Sequence, residues 1–307
     1  MHAGGGSEEE GGPEGVPVDA VPAPSGTLVA DGGPAGAAAA AAAAGPTGDV
    51  TLGRQLRAGA APATRADGWI WLIYALLGLI AGQLVASILA LVVAAATGHS
   101  SQLTTVARSA SPPEWYIVAT LCGLWVGFGG APWLASATRG TRNFCRDVGL
   151  RFRWADLLGI PIGVACQFLV VAAYLPFRHV IHDFTQRMNG PSQKLTGGSH
   201  GAGFVLIALL TVVGAPFFEE LFFRGLLLRS LARLFGDAGR WVGPTLAVVV
   251  TGVVFGAIHA EGLQFYGLAL VGVVLSFLAY RTGRLGMSML THASFNLVAV
   301  LTIAHWL

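Results

Sequence analysis

An all-α, polytopic membrane helix bundle of about seven transmembrane helices is the fold class this sequence predicts, and three observations predict it. Of 307 residues, 54% are hydrophobic and only 11% are charged, where an ordinary soluble domain carries about a quarter of charged residues. Mean hydropathy is +0.65. From Trp69 onward, long apolar runs alternate with short connections whose basic residues are almost all arginine. Within hydrocarbon the backbone must satisfy its own polar groups, so such runs are read as helices.

Residues 1–66 form a separate regime of Gly, Pro, Ala and acid, including Glu8, Glu9 and Glu10 and the alanines from Ala37 to Ala44. This composition predicts a disordered cytoplasmic tail. The alanine run is short, is bracketed by Gly-Pro and lacks a preceding basic region, so it does not read as a cleaved signal peptide. Residues 67–307 form the transmembrane domain. A window of about 20 residues per crossing places its helices at 69–96, 115–137, 155–177, 203–228, 241–259, 265–280 and 285–303. The first two are uninterrupted by acid. The fourth is broken only by Glu219, Glu220 and Arg224, and Gly214 and Pro216 invite a kink just before them. The fifth closes on His259, the sixth is the shortest, and the seventh carries His292 and Asn296.

Charge sets the expected orientation. Arg54, Arg57 and Arg65 precede the first span, Arg139, Arg142, Arg146, Arg151 and Arg153 follow the second, Arg229, Arg233 and Arg240 follow the fourth, and Arg281 and Arg284 follow the sixth. With seven spans these fall on one side, which the positive-inside rule makes cytoplasmic, together with the N-terminus. Arg178, Arg187 and Lys194 in the third connection dissent mildly. Lys194 is the only lysine, and with the Ala, Gly and Pro richness this is the signature of a GC-rich genome, so the expected location is a bacterial plasma membrane. A net charge of +2, with its basic residues scattered over short loops, gives no surface for nucleic acid. Cys122, Cys145 and Cys166 are odd in number and widely spaced, which argues against a disulfide framework or a zinc ribbon.

Ionisable groups inside a span cost about 2.5–3.5 kcal/mol each on insertion scales unless they pair or face a wet cavity. Glu220 and Arg224 are four apart and face each other on a helix, whereas Glu219 is rotated by about 100 degrees. The pair reads equally as an ion pair that orients one helix against another and as part of a catalytic group. Glu219 has Phe222 and Phe223 as its helical neighbours, a low-dielectric niche that favours accepting a proton. His259 lies four residues after Phe255, so that ring can wall the imidazole off from lipid. Alone, it reads as a packing histidine. His292 and Asn296 repeat the four-residue spacing and project side by side, as an oxyanion-binding pair or as an interhelical clamp. Together these groups form the parts of a hydrolase: Glu219, helped by His259, deprotonates a water, and His292 and Asn296 stabilise the oxyanion.

In this order on successive helices, Glu219-Glu220-x-x-x-Arg224, Phe255-x-x-x-His259 and His292-x-x-x-Asn296 resemble the three motifs of the CPBP intramembrane proteases, the Abi-like family of CAAX prenyl endopeptidases and bacteriocin-processing enzymes. The resemblance covers about residues 203–303 and departs at no motif position. It implies an all-helical membrane endopeptidase in which Glu219 and His259 activate water, His292 and Asn296 form the oxyanion hole, and Glu220 and Arg224 complete the catalytic set. The implied partner is a membrane-associated peptide or protein substrate, with or without a lipid modification, within the bilayer. No cofactor is expected. The alternatives are a zinc-dependent version of the same protease, although no H-E-x-x-H occurs and the close pair His179 and His182 falls in a predicted outer loop, a proton-coupled carrier, and a non-catalytic immunity or scaffold protein. One conflict stands. On straight helices with level ends, His292 lies about 10 Å in from one face while His259 lies near the other, so the two do not meet.

Overall fold

The computed structural model describes residues 64–304 apart from 110, 185, 189 and 191–198. All of them belong to the compact unit Gly48–Leu307. The N-terminal tail, apart from its last three residues, lies outside the described residues, as does Lys194. Among the described residues there is no strand. The described residues form seven long helices: α1 (Arg65–Ala96), α2 (Glu114–Arg139), α3 (Trp154–Phe177), α4 (Gly201–Leu234), α5 (Val242–Ile258), α6 (Phe265–Thr282) and α7 (Gly286–Ala304). Each apolar stretch of the sequence is one of them. α1, α2, α3, α4 and α6 are long and apolar enough to cross a membrane by length and composition, and α5 is a shorter apolar helix of 17 residues. The short sixth stretch thus qualifies as a span. α4 outruns its apolar run and ends at Leu234, because Leu231 and Leu234 in its last turns are buried.

In lipid there is little hydrophobic drive between apolar helices, so close backbone approach carries the packing. α1 and α2 meet through glycine: a Cβ on Gly127 would run into the Gly78 carbonyl, and one on Gly123 into the backbone of Ala86. α5 and α6 cross the same way, where a Cβ on Gly252 would lie 2.5 Å from Val273 N. α4 is the axis of the bundle. Its Phe222, Phe223, Leu226 and Leu228 are buried against Trp71 and Ala75 of α1, Phe128 of α2, Ala247 and Phe255 of α5 and Ala279 of α6. Phe128 and Phe222 stack with ring centroids 4.4 Å apart.

The arginine-bearing connections gather at one end of the bundle. Gly68 packs on Arg233 and Leu234, and Leu285 N donates to Gly149 O at 2.8 Å. Gly149 has φ +76, a left-handed conformation natural to glycine, and Arg229 lies directly against it. Asp147 is fully buried beside this turn and accepts from Ser136 Oγ, Thr141 N and Thr141 Oγ1 at 2.6–2.8 Å. Arg284 Nη2 and Asp156 Oδ1 form a buried ion pair at 2.9 Å that ties the start of α7 to the start of α3.

These tethers remove the depth conflict. From Glu219, α4 runs on for about 22 Å to Leu234, and α5 returns for about 25 Å to reach His259. α7 does not start at that level. Leu285 is held on Gly149, whose neighbour Arg229 lies more than one turn short of the end of α4. His292 then needs only about 9 Å of helix to reach the same height as His259.

α4 is not a uniform α-helix. Residues Leu210–Gly214 and Leu221–Leu227 form π turns on either side of the α-helical Ala215–Glu220. Gly214 and Pro216 therefore bring a widened turn rather than a break in the helix, and Gly214 keeps helical angles of φ −65 and ψ −54.

Candidate functional site

Five ionisable side chains from three helices converge beside the centre of α4. Arg224 Nη1 donates to Glu220 Oε1 at 2.7 Å, with both side chains fully buried. Arg224 Nη2 donates to Gly272 O of α6 at 3.0 Å. The guanidinium also lies 4.6 Å from the centroid of the Phe255 ring, an attraction that strengthens where water is excluded. A buried cation is thus met by a carboxylate, a carbonyl and an aromatic face.

Glu220 Oε1 also accepts from His292 Nδ1 at 3.1 Å. Capping the end of α5, His259 places its Nδ1 2.7 Å from the carbonyl oxygen of Phe255. A carbonyl only accepts, so this nitrogen carries the proton. Both imidazoles therefore spend Nδ1–H on a fixed acceptor, and in the neutral ring both leave the Nε2 lone pair free. Both Nε2 atoms point the same way. His292 Nε2 lies 3.8 Å and His259 Nε2 3.9 Å from Glu219 Oε2. Phe255 sits between the rings, its centroid 4.6 Å from that of His259 and 5.6 Å from that of His292.

Glu219 has a side chain 14% exposed, yet its Oε2 is buried and makes no hydrogen bond. Separations of 3.8–3.9 Å are too long for direct hydrogen bonds. They suit one shared small molecule, since a water about 2.8 Å from each of two such atoms sees them roughly 90 degrees apart. Among the described residues no group of three or more His, Cys, Asp or Glu side chains has the geometry to hold a metal ion.

Asn296 stands apart from this convergence. Its Nδ2 donates to the carbonyl of Thr211 on α4 at 2.9 Å. In a π turn the carbonyl of residue 211 looks five residues ahead, to Pro216, which has no N–H to give. The amide of Asn296 fills that gap, and its second N–H is left for another acceptor. Three backbone carbonyls, of Thr211, Phe255 and Gly272, thus orient the side chains of the site. They escaped the sequence reading because carbonyls have no side-chain signature. The proline five residues after Thr211 was the one available signal.

Residues 201–298 match the family described as type II CAAX prenyl endopeptidase, Rce1-like, within the CPBP family that the three motifs resemble. The matched segment runs from the start of α4 into α7 and contains every side chain of the site. No curated protein and no solved structure matches the chain. The match supports a CAAX-type intramembrane protease with a peptide or protein substrate within a membrane, and with the apolar helices it supports an integral membrane protein.

Proposed function

We propose that this protein is a membrane-embedded endopeptidase that hydrolyses a peptide bond of a membrane-associated peptide or protein with water activated by Glu219. One observation carries the reading: a buried, unpartnered carboxylate oxygen faces the Nε2 atoms of two histidines whose Nδ1 protons are already committed. A water held there gives a proton to Glu219 while its oxygen attacks the scissile carbonyl carbon, and His259 Nε2 fixes it from the second side. The carbonyl π pair moves to oxygen. That oxyanion accepts from His292 Nε2–H, with the ring as an imidazolium whose Nδ1–H Glu220 accepts, and from the second N–H of Asn296. Collapse of the tetrahedral intermediate breaks the C–N bond, and the proton on Glu219 passes to the leaving amine. Glu220 and Arg224 act through His292 by holding its ring. On the expected orientation, the N-terminus is cytoplasmic.

The zinc-dependent version would use the same three atoms, two imidazole Nε2 and one carboxylate oxygen. Tetrahedral ligands about 2.05 Å from zinc lie roughly 3.4 Å apart, closer than the 3.8 and 3.9 Å found here.

The test is proteolysis of prenylated and unprenylated membrane-proximal peptides by the purified full chain, compared with Glu219→Gln and His292→Ala, each with and without a chelator. Cleavage that both substitutions abolish and the chelator leaves untouched is the expected result. Chelator-sensitive cleavage moves the reading to zinc. Cleavage undiminished in Glu219→Gln sinks the mechanism, and correctly folded protein that cuts nothing turns the reading to a carrier or scaffold.

A further inference from the structure

A second cluster of buried polar groups lies at the arginine-bearing end of the bundle, more than two turns of α4 away from Glu219, and the hydrolytic reading makes no use of it. Arg229 and Arg233 are one turn apart on α4 and are 2% and 6% exposed. Arg229 Nη2 donates to Gly283 O at 2.9 Å, but its Nε finds no protein acceptor. Arg233 is further from satisfaction, since Nε, Nη1 and Nη2 are all buried and none makes a hydrogen bond. Its guanidinium carbon lies 3.9 Å from the centroid of the Trp71 ring, and Trp71 is itself fully buried with Nε1 unpartnered.

The unsatisfied groups of this cluster are all donors and its formal charge is all positive. The carboxylates that face it are engaged elsewhere. Asp147 is taken up by Ser136 and Thr141, and Asp67 by Thr64 at the start of α1. Among the described residues neither arginine has an ion-pair partner. Burying a cation without an acceptor costs several kcal/mol, so the cluster calls for an anion that brings several acceptor oxygens. Guanidinium forks match phosphate oxygens in pairs, which an ammonium group does not.

Position supplies the rest. The donors lie one to two turns inside the exposed residues Thr64–Ala66 and 236–240. The exposed Trp69 and Trp241 at the same end mark the level of an aromatic belt, where lipid headgroups lie. Basic pockets between transmembrane helices at this level take anionic headgroups. We propose that Trp71, Arg229 and Arg233 form a binding site for a phosphate group, presented by an anionic phospholipid headgroup or by inorganic phosphate. A bound phosphate joins the first turns of α1 to the last turns of α4.

The full-length protein in detergent is titrated with phosphatidylglycerol, with phosphatidylcholine and with inorganic phosphate, read by native mass spectrometry and by thermal unfolding. Retention of one phosphatidylglycerol in preference to phosphatidylcholine, with a raised Tm, assigns the lipid headgroup; the same shift with inorganic phosphate alone assigns the free ion. Arg233→Gln weakens either binding about tenfold, while Arg240→Gln, at an exposed position, leaves it unchanged. Should Arg233→Gln fail to fold, Trp71→Phe decides, since it keeps the ring beneath the guanidinium and removes one donor; severalfold weaker binding is expected. Equal retention of both lipids with no phosphate shift, or full binding in the arginine or tryptophan variant, overturns the site and leaves its donors to water.

Discussion

Glu220 on α4 and His292 on α7 meet through a buried hydrogen bond of 3.1 Å, and the oxygen that accepts it is the one that also accepts from Arg224 at 2.7 Å. One carboxylate oxygen thereby joins the interior ion pair to the imidazole whose other nitrogen faces Glu219. The motif's second glutamate and its arginine fix a histidine that lies seventy-two residues further along the chain.

Breaking this pair from one side strands a charge. Arg224→Ala leaves Glu220 fully buried without its cation, and such losses cost about 3–5 kcal/mol. A large drop in Tm is expected in detergent, together with poor recovery of folded protein. The double substitution Glu220→Gln with Arg224→Met removes both charges and is expected to recover much of that loss. Thermal unfolding of the three proteins side by side checks this, and a double variant no better than the single would show that the charge is not the cause.

Glu219 behaves in the opposite way. It makes no hydrogen bond through Oε2 and its side chain is partly exposed, so Glu219→Gln is expected to leave stability within about 1 kcal/mol of the parent. Its activity falls by about 10²–10⁴ if it is the general base. Measuring kcat and unfolding on the same preparation separates the two effects, and a variant that loses fold and activity together speaks for a structural role.

Asn296 carries a clamp and a proposed oxyanion donor on one amide. Asn296→Ala removes the bond to Thr211 O, worth about 1 kcal/mol or less between membrane helices, and is expected to lower kcat by about 10²–10³ with little change in KM. A variant that loses only the stability increment assigns Asn296 to the clamp alone.

The α1–α2 contact has a direct steric test. Gly127→Leu drives a side chain into the backbone of α1, where Gly78 and Gly82 lie, and overpacking of this kind costs about 1–3 kcal/mol or more. Gly130→Ala, three residues along the same helix and facing open space, is expected to be neutral in the same melting experiment. Equal Tm values for the two variants would show that the helices part without cost.

Much of this arrangement is legible in the linear chain. Each apolar stretch is a helix, because in hydrocarbon an apolar run of that length has nowhere else to place its backbone polar groups. The pairing of Glu220 with Arg224 follows from a spacing of four on one helix face, and the proximity of Phe255 to His259 follows in the same way. Other features are hidden for definite reasons. The acceptor of Asn296 is a backbone carbonyl, freed by a π turn and by a proline that lacks an N–H. The two histidines come together only because the connections at the arginine-bearing end differ in depth, with Leu285 held on Gly149 while α4 and α5 run on below.

By itself, then, the sequence determined the membrane class, the helices and the residues that share a helix face, since hydropathy and a 3.6-residue period act locally along the chain. The tertiary structure decided the relative heights of α4, α5 and α7, the proton on each Nδ1, and the meeting of two Nε2 atoms at one oxygen of Glu219. Those depend on tethers between residues more than a hundred positions apart, such as Leu285 on Gly149 and Arg284 on Asp156, and no periodicity along a single helix records the height at which its neighbour begins.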